Sequence, residues 1–446
     1  MASLSSLGYK GTRDYYPEDK RVQNYIFDIW RMVVERHGYQ EYGAPLLEPL
    51  EVYTAKSGQE LATEQTYTFV DRGDRVVAIR PEMTPSVSRM VAARRQELGY
   101  PARLYSIANF MRYERPQRGR EREFWQLNVD MFGAEGPVAD AETIEIASEI
   151  MKAFGASDDM YTIKVNDRNV INFIMSSYLG LDTHRAQVMI KLFDRMNKIS
   201  PEDFAQQAAD IFGEDEAEKG LRKLHKLVAV KSVAELPEDI RETAAAQNLG
   251  ELFGRLESAG IKNAQFDATL MRGFDYYTGT VFEIFDLDPA NNRSLFGGGR
   301  YDGLVGLFGA DSVPTVGFAP GLSTMELFLK SHKLLPKLRA TTELSIVVVD
   351  NSLDGALKVA RDLRNEGVNV EVDITGRKLD KQIKAAIKKD VSFLLFIGAN
   401  ELKEGMYTFK DVETTDEEKL SMERIVSRIK DHRRGPLGIS DDDLFV

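Results

Sequence analysis

The sequence predicts a two-domain chain: an α+β domain built on an antiparallel sheet with flanking helices and a helical insertion, then a C-terminal α/β domain. Three observations predict it. Strand-like stretches at residues 104–113, 124–132 and 280–285 are joined through turns and helices without regular strand–helix alternation. Between about residues 167 and 260 the chain changes to amphipathic helices with acidic, alanine-rich loops. Beyond about residue 340, buried-type strands (LSIVVVD, VNVEVD, SFLLFIG) alternate with helices (DGALKVARDLRNEG, KLDKQIKAAIKKD), the pattern of a small parallel α/β unit.

Each element has its own signal. Residues 18–37 repeat apolar side chains at helical spacing and stop at Gly38. An extended stretch runs through Pro45 into LLEPLEVY. TYTFVD and RVVAIRP read as a hairpin about Arg72, Gly73 and Asp74. Residues 83–98 and 142–154 read as helices, and 265–271 as a strand. The glycine-rich FGGGRYDGL reads as turns, followed by VGFAPGLSTMELFLK. A linker is expected around Leu335, Pro336 and Lys337. The expected domains are therefore 1–335, with the insertion at about 167–260, then 340–432, and an acidic tail at 433–446.

Composition narrows the chemistry. The chain has 446 residues, 43% hydrophobic and 29% charged, a globular balance with room for two or three domains. No apolar run reaches membrane-spanning length and the first residues lack a signal-peptide core, so a cytoplasmic setting without membrane contact is expected. Without cysteine there is no disulfide, thiolate zinc site or cysteine nucleophile. The five histidines show no metal-ligand spacing, so no protein-held metal site is expected. A net charge of −12 argues only weakly against nucleic acid, because binding follows local basic clusters rather than the total. Neither a GxxxxGK[ST] loop nor a well-placed GxGxxG is present, so a nucleotide must be held in another way.

The most informative segment is NFMRYERPQRGREREFWQLNVDMFG, residues 109–133. Five arginines (Arg112, Arg115, Arg118, Arg120, Arg122) stand between two strands. Guanidinium forks suit phosphate oxygens and an aromatic face suits a base. Two-residue alternation puts Phe124, Gln126 and Asp130 on one face of the return strand, forming with Arg112 a walled pocket. A solvated hairpin tip is the plainer alternative.

R-x-E-R-P-x-R-G-R-x-R-E-F-x-Q resembles the second signature motif of class II aminoacyl-tRNA synthetases in its histidyl form. RPEMTPSVSRM resembles that family's amino-acid-binding turn, and LMRGFDYYTGTVFE and FGGGRYDGLV resemble the two elements peculiar to the histidyl branch. The helix before EYGAPLLEP resembles the first class II motif, whose Pro45 would lie at a homodimer interface. The C-terminal domain resembles the branch's anticodon-binding domain.

The resemblance implies a ligase that joins histidine to tRNA(His) through a histidyl-adenylate, releasing AMP and pyrophosphate. It implies that Arg112 and Arg272 are the catalytic pair, converging on the α-phosphate of ATP. Glu82, Met83, Thr84 and Gln126 would surround the amino group of histidine, and Asp130, Tyr276 and Tyr277 its imidazole. ATP would meet Glu114, Arg120, Phe124 and the glycine-lined backbone that includes Gly321, with Mg²⁺ accompanying the phosphates. A ring read at both nitrogens discriminates without proofreading, so the helical insertion is expected to face tRNA rather than to edit. One position departs from the pattern: Thr324 stands where the third class II motif usually carries an arginine toward the γ-phosphate. That departure alone favours the alternative, a non-catalytic regulator or sensor that binds histidine or tRNA. In the last domain Arg377, Lys378, Lys381, Lys384, Lys388 and Lys389 lie on or beside one helix, suited to the phosphates of an anticodon stem or to plain solvation.

Overall fold

Ten-residue runs on either side of the arginine-rich segment pair as a long hairpin of an eight-stranded sheet, as their alternation of side chains predicts. The computed structural model describes residues 4–54, 64–115, 119–196, 199–270, 276–291 and 293–433. The chain divides into two units, Met1–Asp14 with Ile29–Leu335, and Tyr15–Asp28 with Pro336–Val446.

In chain order the first part runs α1 (Pro17–Arg36), β1 (Gln40–Glu41), β2 (Leu47–Pro49), α2 (Glu51–Thr54), β3 (Thr68–Val70), β4 (Val76–Ile79) and α3 (Thr84–Ala93). The hairpin β5 (Ala102–Met111) and β6 (Glu123–Phe132) follows, then α4 (Gly136–Ala153) and β7 (Tyr161–Asp167). The insertion is helical throughout its regular elements: α5 (Arg168–Phe173), α6 (Thr183–Asp194), α7 (Pro201–Phe212), α8 (Ala217–Ala229), α9 (Glu238–Arg241) and α10 (Ala244–Ser258). The chain returns to the sheet with β8 (Ala264–Phe266), β9 (Thr280–Asp286), β10 (Ser294–Arg300) and β11 (Thr315–Phe318), and α11 (Leu322–Ser331) ends the unit.

The sheet order is β1-β5-β6-β11-β10-β9-β7-β8, antiparallel through its middle and parallel only at the edge pairs β1–β5 and β7–β8. The side chains of Trp30, Tyr105, Phe110, Phe132, Phe282 and Phe328 are fully buried around it. Each contributes about 1.5–3 kcal/mol by leaving water. A second sheet, β2-β4-β3, carries the expected hairpin: the Asp71 carboxylate accepts from the amides of Gly73 (2.8 Å) and Arg75 (3.0 Å) and closes the turn.

The second unit holds β12 (Leu344–Val348), α12 (Leu353–Asn365), β13 (Val370–Val372), α13 (Leu379–Lys388), β14 (Phe393–Ile397), α14 (Ala399–Glu404), β15 (Tyr407–Asp411), β16 (Glu417–Leu420) and α15 (Met422–Arg433). The order β13-β12-β14-β15-β16 is parallel over its first three strands and antiparallel over the last two.

Four local expectations need correction. The helix expected to residue 98 stops at Ala93, where Arg94 leaves helical geometry with φ −125°. The helix expected from 142 begins at Gly136, with proline in its first turn, where a missing N–H costs nothing. The strand expected at 265–271 stops at Phe266, because the Asp267 carboxylate turns back to the Thr269 amide (2.9 Å). The glycine-rich run read as turns is a strand, β10, hydrogen-bonded on both sides.

Candidate active site

The return strand β6 sets the site. Its register against β5 and β11 places Phe124, Gln126, Asn128 and Asp130 on one face, and all four line a cavity of about 490 Å³. Glycines keep the floor low. A Cβ at Gly317 would lie 2.5 Å from Asp130 Oδ1 and 3.0 Å from the Tyr301 hydroxyl, and one at Gly299 would lie 2.6 Å from the Thr280 carbonyl. No larger residue fits there without displacing the strands.

At the inner end Asp130 is buried and accepts a hydrogen bond from the Tyr301 hydroxyl. Its Oδ2 has no hydrogen-bond partner among the described residues. A buried carboxylate oxygen left without a donor is costly, so this atom is prepared for a ligand. Burial pushes the Asp130 carboxyl up to about 7, and the Tyr301 hydroxyl partly offsets that rise. The rings of Tyr276, Tyr277 and Tyr301 close round it at centroid separations of 5.3–6.3 Å. The Tyr276 hydroxyl donates to Glu82 Oε2 at 3.0 Å, which fixes a buried carboxylate at the start of α3 beside Thr84.

The outer end is cationic and aromatic. Arg112 Nε donates to the Pro81 carbonyl (2.9 Å), and its guanidinium lies 5.1 Å from the centre of the Phe124 ring. Arg120 Nη1 stands 3.6 Å from Glu114 Oε2, and both line the cavity. Gln126 pairs through its backbone with Gly321, and its side-chain amide donates to the Ala319 carbonyl (3.1 Å). Thr324 lies at the rim, its hydroxyl donating to the carbonyls of Leu295 (2.9 Å) and Gly321 (3.0 Å).

Glu82, Thr84, Arg112, Glu114, Arg120 and Phe124 thus meet Gln126, Asp130, Tyr276, Tyr277 and Gly321 in one cavity. Met83 does not join them. As the residue just before α3 it turns its side chain inward, fully buried with Ala108 and Phe110. Arg272 and Arg118, like the acidic tail beyond Arg433, lie outside the described residues. Sequence reasoning missed Tyr301, Asn128 and Glu121 as cavity residues. Asn128 was accessible through the same alternation that selected its neighbours. Tyr301 sat in a quoted motif, but only the fold reveals its aim at Asp130.

In the second unit Lys381, Lys384 and Lys388 are exposed on α13 at spacings of three and four, as expected of one helix face. Arg377 is engaged by Asp373 (2.6 Å) and Lys389 by Glu371 (2.6 Å).

Comparison with known proteins places the chain in a family. Residues 11–325 match the family described as histidyl-tRNA synthetase, and residues 343–432 match the anticodon binding domain. The histidine–tRNA ligase of Leptospira biflexa is 39% identical over 430 residues, covering 96% of this chain and 98% of that protein. The histidine–tRNA ligase of Haloarcula marismortui is 34% identical over 411 residues, covering 91% of this chain and 93% of that one. The fold is that of the histidyl-tRNA synthetase structure from Nostoc sp., with a TM-score of 0.83 at 24% identity over 96% of this chain and all of that one. By the extent of the family match and the near-full-length identity to these two ligases, the chain belongs to the histidyl-tRNA synthetase family.

Proposed function

We propose that this ligase activates histidine with ATP to histidyl-adenylate in the cavity beneath β6 and then transfers histidine to the 3′ end of tRNA(His). The observation that carries the reading is the buried, unpaired Oδ2 of Asp130 at one end of a cavity whose other end holds Arg112 and Phe124. An imidazole N–H satisfies the first, and an adenine stacked on the Phe124 ring with phosphates against guanidinium satisfies the second.

In the first step a histidine carboxylate oxygen bonds to the α-phosphorus, the bond to the bridging oxygen breaks, and pyrophosphate leaves. Two anions must approach, so fixed positive charge lowers the barrier. Arg112 supplies it at the α-phosphate, with Arg272 assigned the opposite side by resemblance. Glu82, Thr84 and Gln126 receive the ammonium group, while Tyr276 and Tyr277 wall the imidazole. Glu114 meets the adenine amino group, Arg120 the terminal phosphates, and Gly321 lets backbone approach the nucleotide. Mg²⁺ travels with ATP, held mainly by phosphate oxygens. Glu121 fits a cation there: it lines the cavity, accepts from the Ser323 hydroxyl (3.1 Å), and burial pushes its carboxyl up, a shift that a bound cation would reverse. In the second step a terminal ribose hydroxyl of tRNA attacks the acyl carbon and AMP leaves. The exposed lysines of α13 suit the anticodon stem.

We also assign a homodimer, supported by the apolar face that the small sheet leaves open: Leu47 and Phe69, which the register of β2, β3 and β4 puts on one side, are both exposed. No helix among the described residues is long and apolar enough to cross a membrane, and the proposed work belongs in the cytoplasm.

The direct test is charging. Purified protein with ATP, Mg²⁺ and labelled histidine should place acid-precipitable label on tRNA(His), with one AMP formed per histidine attached. Histidine binding without AMP formation would favour the non-catalytic regulator instead.

A further inference from the structure

One residue before Tyr301 the chain buries an ion pair. Asp140, in α4, is 4% exposed, and Arg300, the last residue of β10, is 8% exposed. Neither is among the residues that line the cavity. Arg300 donates to Asp140 Oδ1 from Nε (3.0 Å) and from Nη2 (2.6 Å), and the Thr280 hydroxyl donates to Asp140 Oδ2 (2.6 Å). The rest of the fork goes to the carbonyls of Ala134 (3.1 Å) and Gly136 (3.3 Å) and to the Asp302 carboxylate (3.3 Å). Every nitrogen of the guanidinium is thus engaged by the protein.

A buried ion pair adds little stability, because desolvation cancels most of its attraction; what the planar fork supplies is direction. Here the directions lead to the ring-binding end of the cavity. Tyr301 continues the pairing of β10, its amide donating to the Thr315 carbonyl (2.8 Å). Successive residues of an extended chain point to opposite faces, so anchoring Arg300 to α4 aims Tyr301 at Asp130. The residues that follow Tyr276 and Tyr277 are tied to the same knot. The Arg300 carbonyl accepts from the Thr278 amide (2.8 Å), and the Asp302 amide donates to the Thr278 hydroxyl (3.1 Å). A Cβ at Gly279 would lie 3.1 Å from Arg300 Cδ, so the arginine stem packs directly on the backbone there.

We propose that Asp140 and Arg300 are positioning residues for histidine: through Tyr301 on one side and residues 278–280 on the other, they set the three tyrosines round Asp130 and so the fit of the imidazole. The proposal rests on the reading of this cavity as the histidine site and adds the pair, outside the cavity, that fixes its ring-binding end. A wall displaced by a fraction of an ångström loosens such a site while every contact residue is still present.

The test measures histidine binding by calorimetry and, separately, KM for ATP in histidine-dependent exchange of pyrophosphate. Thr280→Val removes one donor from Asp140 and leaves the charges paired, whereas Arg300→Lys keeps the charge and loses the fork. Each should weaken histidine about tenfold while KM for ATP stays within about twofold of the wild type. Thr280→Ser keeps the hydroxyl and should bind histidine as the wild type does. Unchanged histidine affinity in either Thr280→Val or Arg300→Lys would overturn the proposal. So would an equal rise in KM for ATP, or a fall in kcat with histidine affinity unaltered, since these mark a general loss of folded enzyme. A wild type that binds histidine but exchanges no pyrophosphate would count against the charging reading alone, because calorimetry reads the pocket without the reaction.

Discussion

Asp130 holds its carboxyl near 7 because β6 buries it, whereas an unfolded chain would ionise it near 3.8. The native state therefore keeps a proton across that window which the unfolded state has released. The sign follows: stability from this group is complete below about pH 4 and is lost as pH rises through about 7. Asp130→Asn should flatten that slope, which corresponds to about one proton, in urea unfolding measured between pH 4.5 and 8. It should also raise KM for histidine by about tenfold or more while leaving KM for ATP near its wild-type value. An unchanged KM for histidine would remove Asp130 from the recognition of the ring. At this scale the sequence was informative where a simple period ruled: alternation along β6 identified Phe124, Gln126 and Asp130 before any coordinates. It failed where direction depends on tertiary packing. Met83 lies between two cavity residues, yet its side chain goes to the core, and Tyr301 reaches Asp130 from another strand.

Among the elements, α11 carries Thr324, the position that the resemblance singles out. Thr324 uses its hydroxyl on two carbonyls at the rim, a neutral contact where an arginine would bring charge toward the phosphates. Thr324→Arg should lower KM for ATP by about tenfold or more, the worth of one charge-assisted hydrogen bond. An unchanged KM would mean that Arg120 or a cation at Glu121 already meets the need. The strand β10 teaches a different lesson. Three successive glycines resemble a turn by composition, but here they admit close neighbours: a Cβ at Gly297 would come within 2.5 Å of the Phe282 carbonyl. Composition records conformational freedom and cannot distinguish a loop that uses it from a strand that needs the space.

For the whole molecule, the antiparallel sheet, the helical insertion and the C-terminal α/β unit were legible because each has its own hydrophobic period. The antiparallel strands β15 and β16 were not, since short strands with lysine and glutamate on the open side read like loop. The proposed homodimer makes its own prediction. Phe69→Asp, on the open face of the small sheet, should shift sedimentation velocity toward monomer, and an unaltered dimer would place the contact elsewhere. The central claim concerns a single cavity that reads imidazole at Asp130 and activates the carboxylate at Arg112. Exchange of labelled pyrophosphate into ATP, run with each of the amino acids in turn, measures that activation without tRNA. Rapid exchange with histidine alone, abolished in Arg112→Ala, is the predicted result. Exchange with no amino acid, or equally with one that has no imidazole, would contradict it.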